Sequence, residues 1–136
     1  MCLKDEVSQY HMRDTLLMHT PEITPSIIAT IPDLVKEILM ETKQHTPRRI
    51  LLSSNGLANR FILTRWGIRP SQRRRNKNLF AQIRKECRKY FRFILSTELI
   101  TYEQKGQNID FGVYKFDEIR GNLILGFSAR ENIPFL

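Results

Sequence analysis

The segment RPSQRRRNK, residues 69–77, sets Arg69, Arg73, Arg74, Arg75 and Lys77 in one short run without an acid among them. Guanidinium groups are planar forks that hold phosphate oxygens two at a time, so an arginine-dominated run suits phosphate contact or a guanine edge. The next residues, NLFAQIRKECRKYFRFILS, continue the charge with Lys85, Arg88, Lys89 and Arg92, interleaved with Phe and Tyr. Such interleaving has two physical readings. Aromatics among cations can stack on bases, or they can be the buried stripe of a helix whose other side is basic.

A helical wheel separates the two. At about 100° per residue, Leu79, Phe80, Ile83, Cys87, Tyr90, Phe91 and Ile94 share a sector about 120° wide. Lys85, Arg88, Lys89 and Arg92 centre on the opposite side. Phe80, Tyr90 and Phe91 are therefore expected in the core, and Phe93 alone departs from the stripe. On the outward side Lys85–Lys89 and Arg88–Arg92 are like-charge i, i+4 pairs, each worth a few tenths of a kcal/mol of repulsion. Cations in the lead-in also oppose the helix dipole, which favours anions at its N-terminus. A solvated face and a nuclear-localisation cluster are the plainer alternatives. A polyanion contacting the face would convert both costs into binding.

The charge of the whole chain is divided in the same sense. Residues 47–95 hold fourteen Lys/Arg against one acid, Glu86, while the remainder holds eight basic and thirteen acidic residues. The sum is +8, but the middle alone carries +13. Segregation of this kind marks a polyanion-facing middle rather than a uniformly soluble surface. Lys105, in a turn further on, is an additional candidate contact, and Arg60 and Arg65 could extend the patch.

Other chemistries find little support in the residues. His11, His19 and His45 have no Cys or acidic partner at metal-ligand spacing. No phosphate-cradling glycine run, GxSxG or HExxH is present. Asp110 with Asp117 and Glu118 could be imagined as magnesium-holding carboxylates, though turn and strand-edge acids are the commoner meaning. Neither enzyme activity nor a cofactor or metal is expected. Two cysteines, Cys2 and Cys87, make no disulfide framework and suit an intracellular, reducing compartment, the nucleus or another one that holds nucleic acid. Asp5 and Glu6 fall where a secretory leader would need a basic start and an apolar core. No membrane association is expected, since no run of 18 apolar residues occurs.

The elements that must position these groups follow from periodicity and punctuation. Leu3, Val7, Tyr10 and Leu17 share one face of a possible N-terminal helix, and HTPEITPS reads as a linker. Leu34, Val35, Ile38 and Leu39 define an amphipathic helix that starts near Pro32 and ends before Pro47. RRILLSS is a short strand or a helical turn, closed by the turn signal Asn55-Gly56. A helix from about 55 to 66 is expected to stop at Gly67. Ser71 is a suitable N-cap for the basic helix, which could exceed twenty residues. Beyond Leu95 the period becomes two: ELITYEQ and IDFGVYKF form a hairpin with Lys105-Gly106-Gln107-Asn108 as its turn, and LILGFS is a further strand.

These elements imply an α+β fold with about three core helices, a possible N-terminal helix, and a C-terminal antiparallel hairpin or three-stranded meander. The expected organisation is an arm and linker over 1–24, one nucleic-acid-binding domain over 25–128, and a tail over 129–136. The order helix, short strand, helix, helix, hairpin over residues 27–116 resembles winged-helix domains, which implies a basic third helix on nucleic acid with a hairpin beside it. The expected function is binding of nucleic acid, DNA before RNA, within a larger complex. A protein partner would meet the N-terminal arm or the apolar C-terminal tail. The rival expectation is a protein-interaction subunit whose basic helix meets an acidic partner.

Overall fold

In the computed structural model, residues 21–43 and 49–129 are described, with the side chains of 42, 43, 104 and 127–129 excepted. The expected N-terminal helix, the three histidines and the C-terminal tail beyond Ala129, which itself ends a strand, lie outside these residues. The order of elements is α1 (Pro25–Ile28), α2 (Ile31–Lys43), β1 (Arg49–Ser53), α3 (Ser54–Trp66), a 3-10 segment (Pro70–Asn76), α4 (Lys77–Thr97), β2 (Leu99–Gln104), β3 (Gln107–Asp117) and β4 (Asn122–Ala129). The fold is α+β: helices packed on a four-stranded antiparallel sheet of order β1-β4-β3-β2.

Local chemistry sets each boundary. The Thr24 hydroxyl accepts from the Ile27 N–H, with Pro25 in the first helical position of α1, where its missing N–H costs nothing. Ile31, Leu34, Val35 and Leu39 of α2 are buried on one face. Ser53 ends β1 and caps α3, accepting the Gly56 N–H at 3.2 Å. Asn55-Gly56 thus lies within the first turn of α3 rather than closing the strand as a turn, because the cap satisfies the N–H groups a turn would have used. Gly67 closes α3 at φ 69°, its N–H bonded to Leu63 O, as expected from its position.

The basic helix does not start at Ser71. Pro70 begins a 3-10 segment in which Arg69 N–H donates to Gln72 Oε1 at 2.8 Å and the Asn76 amide to Gln72 O at 2.9 Å. Asn76 then precedes α4, which runs for 21 residues. Its stripe is buried as the wheel requires: Leu79, Phe80, Ile83, Cys87, Phe91 and Ile94. Each large apolar side chain so buried contributes about 1.5–3 kcal/mol. Tyr90 is half-buried, and Phe93 is 61% exposed, its ring stacked on Tyr90 at 6.3 Å.

The sheet has one strand more than expected because β1 joins it, pairing Ile50 with Leu125 and Leu52 with Leu123. Ile50, Leu52, Phe111, Leu123 and Leu125 meet the helices in one core. The β2–β3 turn is tighter than the four residues expected. Lys105 (φ 53°) and Gly106 (φ 78°) alone connect the strands, both at the positive φ that two-residue hairpins need. No helix among the described residues is long and apolar enough to cross a membrane.

Candidate nucleic-acid interface

Three elements meet where the charge concentrates: the first turn of α3, the 3-10 segment and the first turns of α4. Between them lies an open groove of about 570 Å³ lined by Asn55, Arg73, Lys77, Asn78, Phe80 and Arg84. The Arg73 guanidinium stands 5.9 Å from the centre of the Phe80 ring, so the buried aromatic of α4 orients a cation at the rim. Arg69, Arg74 and Arg75 are exposed in and before the 3-10 segment, while Lys85 is exposed beside Glu86 in a separate groove between α1 and α4. Among the described residues, none of Arg69, Arg73, Arg74, Arg75, Lys77, Arg84 or Lys85 forms an ion pair. Like charges held together without acids define an anion-attracting surface.

Arg84 belongs to this groove, although sequence reasoning passed over it. Its wheel position borders the apolar sector, next to Lys77 and Arg88, and that adjacency was the available signal. Asn55 had no such signal, because its place depends on how α3 meets α4.

Further along α4 the cations are engaged. Arg92 pairs with Glu118 in the turn between β3 and β4, at 2.6 Å from Nη2 and 2.9 Å from Nε. Arg88 is half-buried and makes two long hydrogen bonds, to Ser54 Oγ at 3.4 Å and to Ile119 O at 3.5 Å. Lys89 reaches Glu86 at 3.5 Å. The like-charge pairs that look uncompensated along the helix are thus compensated by acids and carbonyls, chiefly of a turn distant in sequence. Among the described residues the basic face therefore divides into cations without an ion pair, 69–85, and a part in which Arg88 and Arg92 are tied to the β3–β4 turn.

Arg60 leaves the patch for a two-point contact with Glu41 (3.3 and 2.9 Å), and this partner holds the Glu41 carboxyl below its usual range. Arg65 lines a separate groove of about 580 Å³ between α2 and α3 with Asp33 and Glu37, whose mixed charge does not suit a polyanion. Lys105 is exposed, but at the opposite end of β3 from the Arg88 and Arg92 contacts. Gln107 and Asp117 stand at the two ends of this strand, roughly 30 Å apart at the rise of a strand.

The three carboxylates considered for magnesium do not converge. Asp110 is buried and accepts from the Thr101 hydroxyl at 2.7 Å, whereas Asp117 and Glu118 lie at the far end of the same strand, roughly 20 Å along it. Asp117 accepts the Arg120 N–H, and Glu118 holds Arg92. Among the described residues no group of three His, Cys, Asp or Glu could hold a metal ion. Cys87 is a free buried thiol, pushed up to about 12 by burial and by the neighbouring Glu86.

No protein-family model, curated protein or solved structure matches this chain.

Proposed function

We propose that the chain binds nucleic acid, duplex DNA before RNA, through the unpaired cations of the 3-10 segment and the first half of α4. The observation that carries this reading is the groove at the first turn of α3. Arg73, Lys77 and Arg84 line it together with Asn55 and Asn78, and among the described residues none of the three cations is paired with an acid. Phosphate entering the groove would meet guanidinium forks, amide donors and the positive end of a helix dipole together. Arg69, Arg74 and Arg75 extend the same potential along the 3-10 segment and Lys85 along α4, where they would follow a backbone rather than read bases.

The test is a salt titration of binding to a duplex, a single strand and a structured RNA of equal length. Log affinity should fall linearly with log salt, by about 0.9 per phosphate neutralised on a duplex. The double change Arg73→Ser and Arg84→Ser should remove about two such units. Binding with an unchanged slope in that variant would acquit the groove, and absence of wild-type binding at low salt would overturn the reading.

A second reading, a subunit of a larger assembly, is favoured by a different observation. Phe93 is 61% exposed with Tyr90 stacked behind it, on the side of α4 away from the groove. The two readings are compatible. Pull-down of a partner that Phe93→Ser abolishes, with nucleic-acid binding intact, would separate them.

A further inference from the structure

The turn between β3 and β4, Asp117–Asn122, reads in the sequence as a separator of two strands. In the fold it is held by hydrogen bonds from α3, from α4 and within itself. Ser54 N–H donates to Gly121 O at 2.9 Å, Gly121 N–H to Asp117 O at 2.8 Å, and Arg120 N–H to Asp117 Oδ1 at 3.1 Å. Arg88 reaches Ile119 O, and Arg92 grips Glu118. What this scaffold holds out is an apolar residue: Ile119 is 88% exposed, and the neighbouring Arg120 side chain 78%. The turn thus presents one apolar side chain beside one cation on a fixed backbone.

The place of the turn gives the exposure a meaning. Ser54 touches Gly121 and Arg88, while the next residue, Asn55, lines the basic groove. Arg84 of the groove and Arg88 of the turn contact stand one helical turn apart on α4, about 6 Å. Turn and groove therefore flank the first turn of α3 side by side. Glu118 is held by Arg92, and Asp117 by the Arg120 N–H and by the Arg120 Nε at 3.9 Å, so Ile119 stands outward beside a guanidinium that keeps a long, solvent-facing pair.

Resting on the nucleic-acid reading above, we propose that this turn is a second contact element for duplex DNA, and that the β2–β3 turn carrying Lys105 is not. Ile119 lies against the sugars of a duplex groove, an apolar contact of the kind that rigid side chains make there, and Arg120 meets a flanking phosphate. Such a contact needs two strands with a groove between them, so it selects duplex over single strand.

The experiment measures binding of wild type, Ile119→Ser, Arg120→Ser and Lys105→Ser to a duplex and to one of its strands, with thermal unfolding as the control for fold. Both turn side chains are exposed, so unfolding should not move. Ile119→Ser should weaken duplex binding about tenfold and leave single-strand binding unchanged. Arg120→Ser should lower the duplex salt slope by about 0.9, and Lys105→Ser should do neither. If both turn variants bind duplex like wild type while Arg73→Ser with Arg84→Ser loses binding, the turn has no part in it and the groove stands. Equal loss on the single strand would likewise overturn the duplex-groove contact. A wild type that binds no nucleic acid overturns the function itself, a different result from either.

Discussion

Arg88 lies so close against Gly121 that a Cβ at 121 would sit 2.9 Å from the guanidinium carbon and 2.5 Å from Ser54 Oγ. Gly121 also has φ of 70°, the left-handed region that other residues enter at a cost. This one contact joins the start of α3, the middle of α4 and the β3–β4 turn. Gly121→Ala must displace both the Arg88 and Ser54 side chains and strain the backbone, so it should destabilise the protein by about 2 kcal/mol or more in urea unfolding. Gly106→Ala, at φ 78° in open space, bears the backbone cost alone and should cost less.

Glu118 holds Arg92 out of the unpaired patch. Glu118→Gln should free that guanidinium for phosphate while removing a negative charge. Duplex affinity at low salt should rise several-fold and the salt slope steepen by up to about 0.9. The pair is half exposed, so stability should change by no more than about 1 kcal/mol. A titration of both proteins at matched ionic strengths checks each figure.

Phe91 and Phe93 are two residues apart and should behave oppositely. Phe91 is fully buried, and Phe91→Ala should cost about 3–5 kcal/mol. Phe93→Ala loses only its exposed stack on Tyr90, and the unfolding midpoint should move by less than about 1 kcal/mol equivalent.

Alkali should loosen the core through two groups. Burial pushes the Cys87 thiol up to about 12 from 9.0 and the Tyr90 phenol up to about 12 from 10.0. A raised folded value means that the fold favours the protonated form. The stabilisation is complete below the unfolded value and is lost as pH rises through the folded one. The urea midpoint should therefore decline from about pH 9 upward, and less steeply in Cys87→Ala. In a Cys2→Ser background, Cys87 should also resist thiol reagents until the chain unfolds.

Much of this fold is legible along the chain because its determinants are local. The 3.6-residue spacing of Leu79, Ile83, Cys87 and Ile94 foretells which side of α4 is buried, and Gly67 foretells where α3 stops. The alternation through Ile109 and Phe111 foretells β3, both being buried. Local signals also mislead when a neighbour competes for the same backbone groups. Asn55-Gly56 reads as a turn, but Ser53 captures the Gly56 N–H and turns the pair into helix. RRILLSS could not be told from a helical turn because its strand identity lies in β4, some seventy residues away, where Ile50 meets Leu125.

The same division runs through RPSQRRRNKNLFAQIRKECRKYFRFILS. By itself the sequence determines that the cations concentrate between residues 69 and 92, and that the aromatics among them mostly face inward, because charge and helical period are properties of one segment. Only the tertiary structure decides which cations remain available. Arg88 and Arg92 are claimed by a turn some thirty residues downstream, while Arg73, Lys77 and Arg84 converge beside Asn55 with no carboxylate among the described residues that line the groove. Pairing is a matter of a few ångströms between groups distant in sequence, and no spacing along the chain encodes it.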